Sequence, residues 1–184
     1  MLPVEVLITE HRLILFTVSV LKKEQQKIVA TSKVDPNFIV TAVDFFRTYA
    51  DRYHHGKEEG ILFNALSKRK LSEVDAKMMR ELILEHALAR KTVFNLEKQK
   101  ESYISGNAES LSGILESLNV LIELYPKHIE KEDKHFFYPS MEYFTEKEQE
   151  DMLKKFLAYD QDFTDNRYKQ IIENLKEHVE QNRI

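Results

Sequence analysis

Two stretches decide how this chain folds: HHGKEEGILF at 54–63 and KHIEKEDKHFF at 127–137. His54 and Glu58 stand four residues apart in the first, and His128 and Glu132 four apart in the second. Residues four apart on an α-helix share a face, so each pair offers one imidazole and one carboxylate to a common point. Both pairs lie in apolar stripes of the same period. Phe46, Ala50, Ile61 and Leu62 share the face of the first, and Leu121 and Leu124 that of the second. Two further histidines stand singly on such stripes: His11 among Leu7, Ile8, Ile14, Leu15 and Val18, and His86 among Met79, Leu82, Ile83, Ala89 and Val93.

One histidine on an apolar stripe is ordinarily a core-edge residue bonded to a neighbour. Six inward imidazoles and carboxylates are a different matter, because burying them without a counter-charge costs several kcal/mol each. A divalent or trivalent cation offsets that cost. Four histidines and two glutamates suit a pair of ions, since a bidentate carboxylate can link two metals while each imidazole caps one.

The rest of the composition narrows the chemistry. A chain of 184 residues with 42% hydrophobic content builds one domain with a substantial core. The formal charge of −4 is spread along the chain, and the short KRK at 68–70 is no basic footprint, so nucleic acid is not an expected partner. Cysteine is absent, which excludes disulfides, thiolate ligands, iron–sulfur clusters and a cysteine nucleophile. The opening MLPVEVLITEHRLILF is interrupted by Glu5, Glu10, His11 and Arg12 and reads as neither signal peptide nor membrane span, so no membrane association and a cytoplasmic location are expected.

Four glycines and four prolines punctuate segments of helical period, so the fold class expected is all-α. Helix 1 is expected from Pro3 to about Ala30. Helix 2 follows behind Asp35 as N-cap with Pro36 at the first position, and ends near Leu66. Helix 3 starts after Ser72 and fades at Ser105-Gly106-Asn107. Helix 4 runs from about Ala108 to Phe137, stopping before Pro139, with a kink or a new segment at Pro126. Short connections suit an up-down-up-down four-helix bundle. Thr145 to Glu148 reads as a capping box opening a helix to about Tyr159, and a last amphipathic helix covers about Asp165 to Asn182. The division expected is a bundle with the metal site over 1–140 and a C-terminal extension of two additional helices over 141–184, packed on it.

Taken in order, TEHRLI (9–14), HHGKEEGILFNAL (54–66), LILEHALAR (82–90) and YPKHIEKEDKHFFYP (125–139) resemble the motifs of the hemerythrin-like family, the HHE cation-binding domains. The resemblance spans roughly residues 1–140. Residue by residue it implies His11, His54, Glu58, His86, His128 and Glu132 as ligands of a non-haem di-iron centre, two iron ions between the helices. Zinc or another divalent metal is a candidate occupant in recombinant protein, because nitrogen and oxygen donors discriminate poorly among divalent ions. Oxygen-carrying hemerythrins have a second histidine four residues after the helix-3 ligand, where this chain has Arg90, whose guanidinium cannot ligate. They also carry an aspartate at the spacing of Asp133, whereas Glu132 has the spacing of the wider HHE branch. His55 and His135 are reserve ligands for the missing one. His55 and Glu59 form a second pair, rotated about 100° around the helix, and read as a boundary pair. Arg90 is expected at the rim of the site, paired with a carboxylate such as Glu97 or guarding an open coordination position. Tyr49, Tyr53 and Tyr125 near the ligand positions read as packing residues.

The resemblance implies a metal-ion binding protein that binds or senses O2, another small diatomic, iron or redox state. The alternatives are a di-iron enzyme acting on peroxide or nitric oxide, and a regulatory module whose outer helices meet a protein partner when the metal changes state.

Overall fold

The computed structural model describes residues 1–162, so the helix expected over 165–182, and His178 with it, lies outside the described residues. Among the described residues there are five helices and no strand: α1 (Pro3–Thr31), α2 (residues 36–66), α3 (Glu73–Ile104), α4 (residues 110–141) and α5 (Glu146–Asp162). None is long and apolar enough to cross a membrane.

The helix ends follow from local chemistry. The Asp35 carboxylate accepts from the backbone of Asn37 (3.0 Å) and Phe38 (3.4 Å) at the start of α2, and Ser72 Oγ accepts from Asp75 N (3.0 Å) at the start of α3. Thr145 and Glu148 form the reciprocal box that opens α5, with Thr145 N donating to the glutamate (2.9 Å) and Glu148 N to the threonine hydroxyl (3.4 Å). Helix α1 stops at Ser32, which adopts φ 54, and α3 gives way at Gly106, with φ 92.

Two expectations about helix regularity are corrected. In place of a regular α-helix, α2 carries two π-helical stretches, Phe46–His55 and Glu58–Phe63. No new segment begins at Pro126, since Ser110–Lys131 is one continuous α-helix; the change of helix type comes later, as a π-helical stretch over Glu132–Phe136. A proline removes only one donor, and packing of α4 against both α1 and α3 holds the rest of the ladder. Nor does α4 stop before Pro139. After the π stretch that residue falls in the first turn of the α-segment Phe137–Met141, where its missing N–H needs no partner.

The core forms two apolar clusters. One gathers Ile14, Val18, Leu21, Phe46, Ala50, Tyr53, Ala89, Val93, Leu121 and Tyr125 among others, and the second gathers Val4, Leu7, Leu62, Phe63, Leu82, Phe136 and Phe137. On every one of the first four helices the candidate ligands lie between a residue of one cluster and a residue of the other. Thus α1 passes Leu7, His11, Ile14; α2 passes Tyr53, His54, Glu58, Leu62; α3 passes Leu82, His86, Ala89; and α4 passes Tyr125, His128, Glu132, Phe136. A polar layer is thereby held between two apolar ones. The order in which the clusters are met reverses from each helix to the next.

Helix α5 closes the second cluster with Met152 and Phe156. Its far end is fixed by polar contacts: Tyr159 Oη donates to Arg52 O (2.6 Å), and Lys57 Nζ donates to Asp160 Oδ1 (2.8 Å). Gly56 makes the first contact feasible, because a Cβ there would collide with the Tyr159 hydroxyl. Phe156 is fully buried, so Phe156→Ala should cost about 3–5 kcal/mol of unfolding free energy if α5 belongs to the same cooperative unit. Urea unfolding followed by circular dichroism measures this. A loss below about 1 kcal/mol would mean that α5 opens independently of the bundle.

Candidate metal centre

A π turn closes its hydrogen bond five residues back rather than four, so each residue turns the chain by less than the 100° of an α-helix. Consecutive side chains then diverge less, and both His54 and His55 are buried in the polar layer, their ring centres 5.8 Å apart. The seven inward donors form two groups, each with ligand atoms within 4.8 Å of one another: His55, His86 and His128 in one, and His11, His54, Glu58 and Glu132 in the other.

Carboxylates join the two groups. Glu58 Oε1 lies 3.3 Å from His54 Nε2, while its Oε2 lies 3.4 Å from His86 Nε2. Glu132 Oε2 lies 3.2 Å from His128 Nε2 and 3.3 Å from His11 Nε2, with Oε1 3.9 Å from His86 Nε2. His86 and His128 bring their Nε2 atoms to 3.1 Å. Neighbouring ligands at ~2.1 Å from one ion stand about 3.0–3.4 Å apart, so most of these spacings suit a shared ion.

Outside this ring, each histidine turns Nδ1 to a carboxylate. His11 Nδ1 donates to Asp133 (2.8 Å), His54 to Glu10 (2.9 Å), His86 to Glu59 (2.6 Å) and His128 to Glu85 (2.9 Å), and His55 Nδ1 lies 3.5 Å from Asp51. Such partners fix the ring orientation, aim the Nε2 lone pair inward and raise ligand basicity. Four of these carboxylates are held in turn by cationic side chains. Lys57 binds Glu10, Lys131 binds Glu85, and Arg90 binds both Asp51 (2.7 Å) and Glu59 (2.7 Å).

Burial makes this arrangement costly without a cation. His11 Nε2, His54 Nε2, both nitrogens of His55 and all four carboxylate oxygens of Glu58 and Glu132 are buried without a hydrogen-bond partner. In the metal-free chain burial opposes protonation of His54, yet Glu58 and Glu10 outweigh it and lift the imidazole to about 10. His128 reaches about 10 in the same way through Glu132 and Glu85. For His55, burial and then the neighbouring His86, His54 and His128 push the value well below the ordinary one. Burial would raise Glu132, but His128 and His11 bring it well below the carboxylate range. The donor set therefore matches a cationic centre on chemistry alone: imidazoles, which ligate once they give up their protons, and carboxylates, converging and for the most part without a hydrogen-bond partner.

The model of the hemerythrin HHE cation-binding domain matches residues 2–139. The chain belongs to this family. No curated protein and no solved structure matches it. All six ligand candidates read from the sequence, His11, His54, Glu58, His86, His128 and Glu132, come together in the polar layer of this HHE domain.

Three readings around them are corrected. His55 is not a boundary residue but completes the three-histidine group, stacked on His86 with ring centres 3.8 Å apart. His135 is exposed and takes no part. Arg90 pairs with Asp51 and Glu59, not with Glu97, which is bound by Arg47 (2.6 and 2.9 Å). Asp133 and Glu59 act from outside, on the Nδ1 atoms of His11 and His86.

A pH dependence follows. The folded values of His54 and His128 are raised above the ordinary 6.5. Their protonation stabilises the metal-free fold fully below about pH 6.5, and that contribution is lost as pH rises toward about 10. His55, depressed, titrates below this window. The melting temperature of chelator-treated protein should fall between pH 6.5 and 10, while metal-loaded protein, whose imidazoles have given up those protons, should fall less. Parallel curves for the two forms would show that these histidines do not bind the metal.

Proposed function

We propose that this chain holds a non-haem di-iron centre, one ion on His55, His86 and His128 and the other on His11 and His54, with Glu58 and Glu132 shared, and that it uses the centre to bind or sense O2, another small diatomic, iron or redox state. The observation that carries this reading is Glu58, fully buried, with one oxygen facing the His54 side and the other facing His86. A carboxylate so placed suits two ions better than one. Iron, when bound, would supply one-electron redox chemistry and coordination positions for a small ligand. The chain's own part is to hold four of the five imidazoles by outer carboxylates and to place an apolar layer on each side of the centre. The alternating order in which the helices meet the two clusters supports an up-down-up-down four-helix bundle, to which 141–184 is the extension. A cytoplasmic location and the absence of nucleic-acid and membrane partners belong to the same reading.

Metal analysis and an optical spectrum of protein purified from iron-replete, anaerobic culture, before and after air, test the proposal. About two iron ions per chain are expected, with an air-dependent spectral change, and His55→Ala should lose roughly one ion while Glu58→Ala loses more. One ion or none in the wild type would overturn the di-iron assignment; two ions retained in His55→Ala would overturn the assignment of the three-histidine group.

A second reading, a metal-responsive interaction module, is favoured by one specific chain of contacts. His54 bonds Glu10, Glu10 bonds the fully buried Lys57, and Lys57 bonds Asp160 on α5. Metal loading should then lower the rate of proteolytic cleavage within α5, and Asp160→Asn should diminish that difference. Equal cleavage of metal-free and metal-loaded wild type would remove this reading while leaving the di-iron proposal intact.

A further inference from the structure

Beside the three-histidine group the bundle contains a cavity of about 200 Å³, lined by Phe46, Ala89, Val93, Tyr125, His55 and a rim of Arg47, Asp51 and Arg90. The deep residues are all buried, whereas the rim side chains are about a third or more exposed, so the cavity opens to solvent on the rim side and ends on His55 and Tyr125. A narrower cleft shares His55, Ala89 and Tyr125 with it and runs on past His86 and His128.

The chemistry of the lining limits what fits. An apolar cavity of about 150 Å³ accommodates benzene, so this one has room for a six-membered ring with one small substituent, far more than a diatomic requires. Charge argues against an anion. Arg47 is bound in a two-pronged pair to Glu97, and Arg90 is shared between Asp51 and Glu59, so two guanidinium groups face three carboxylates. A carboxylate-bearing ligand would have to displace one of these partners.

Apart from His55, which faces the donor groups, one neutral polar group is left for recognition. The Tyr125 hydroxyl has no hydrogen-bond partner among the described residues, although the side chain is only 2% exposed. Burial and the nearby Asp51 carboxylate raise its pKa, so it stays a phenol, able to donate and to accept. Its ring is stacked at 5.0 Å on Phe46 and lies parallel to His55 at 6.4 Å, which holds it between the cavity and the metal layer. The hydroxyl lines the cavity, where a ligand hydroxyl or carbonyl would take the place of water on it.

From these observations we infer that the cavity is a binding site for a small neutral organic molecule of the phenol class, its ring between Phe46 and Val93 and its single polar group on the Tyr125 hydroxyl, next to His55. The inference goes beyond the di-iron reading and uses it only for the proximity of an ion; the binding itself needs no metal.

The probe is phenol itself, with toluene and benzoate for comparison, titrated into metal-free and metal-loaded full-length protein and followed by ligand-observed NMR. Phenol should bind one to one in both forms, toluene more weakly, and benzoate more weakly still. Val93→Phe, which fills the cavity, should abolish binding. Tyr125→Phe should weaken phenol about tenfold and leave toluene unchanged. In cobalt(II)-loaded protein the bound phenol resonances should broaden beyond what the zinc-loaded form shows, reporting the ion beside His55. Phenol binding that survives Val93→Phe, or benzoate that outcompetes phenol, would overturn the site. Should the metal analysis find no di-iron centre, the metal-free titration still decides the cavity.

Discussion

Two carboxylates with nothing to accept from set the terms for this protein. Glu58 and Glu132 are fully buried, and their oxygens face imidazole nitrogens of their own and of neighbouring helices, none of them in a well-aligned hydrogen bond. In a metal-free chain the protons held by His54 and His128, raised by the carboxylates around them, offset part of that charge. Everything around the pair serves the same electrostatic need, from the outer carboxylates on the Nδ1 atoms to the lysines and arginine behind them. Charge alternates outward from the centre, from the shared carboxylates to imidazoles, then to outer carboxylates, then to lysine or arginine.

Much of this was legible in the sequence, for a physical reason. Ligands at i and i+4 leave a periodic trace, and the apolar residues that flank them a turn away on each side repeat the same period. Hence His11, His54, Glu58, His86, His128 and Glu132 stood out together. The helix ends were legible too, through Asp35, Ser72 and the Thr145–Glu148 box, because a cap is local chemistry.

Where the reading failed, backbone geometry had changed the period. His55 was assigned to the boundary on the rule of 100° per residue, which the π stretch Phe46–His55 does not obey. Nothing in FRTYADRYHH announces that stretch; its only trace is a second histidine directly after the first. The partners of Arg90 were missed for the same reason, since Asp51 and Glu59 both follow the altered helix. A lysine at position 57 carried no signal at all. Its carboxylate partners, Glu10 and Asp160, lie far away in sequence, and pairing at such distances has no local signature.

That lysine separates two meanings of the word domain. Similarity to the family ends at residue 139, but burial does not end there. The amino group of Lys57 has Glu10 on one side and Asp160 on the other, and Leu62 and Phe63 lie under Met152 and Phe156. A chain cut at the limit of recognisable homology would keep every proposed ligand yet strip a hydrophobic face and half of an ion pair from the helix that carries three of them. The smallest piece that resembles the family is therefore smaller than the smallest piece with a closed interior, and the segment without a familiar sequence is the one that seals the familiar part.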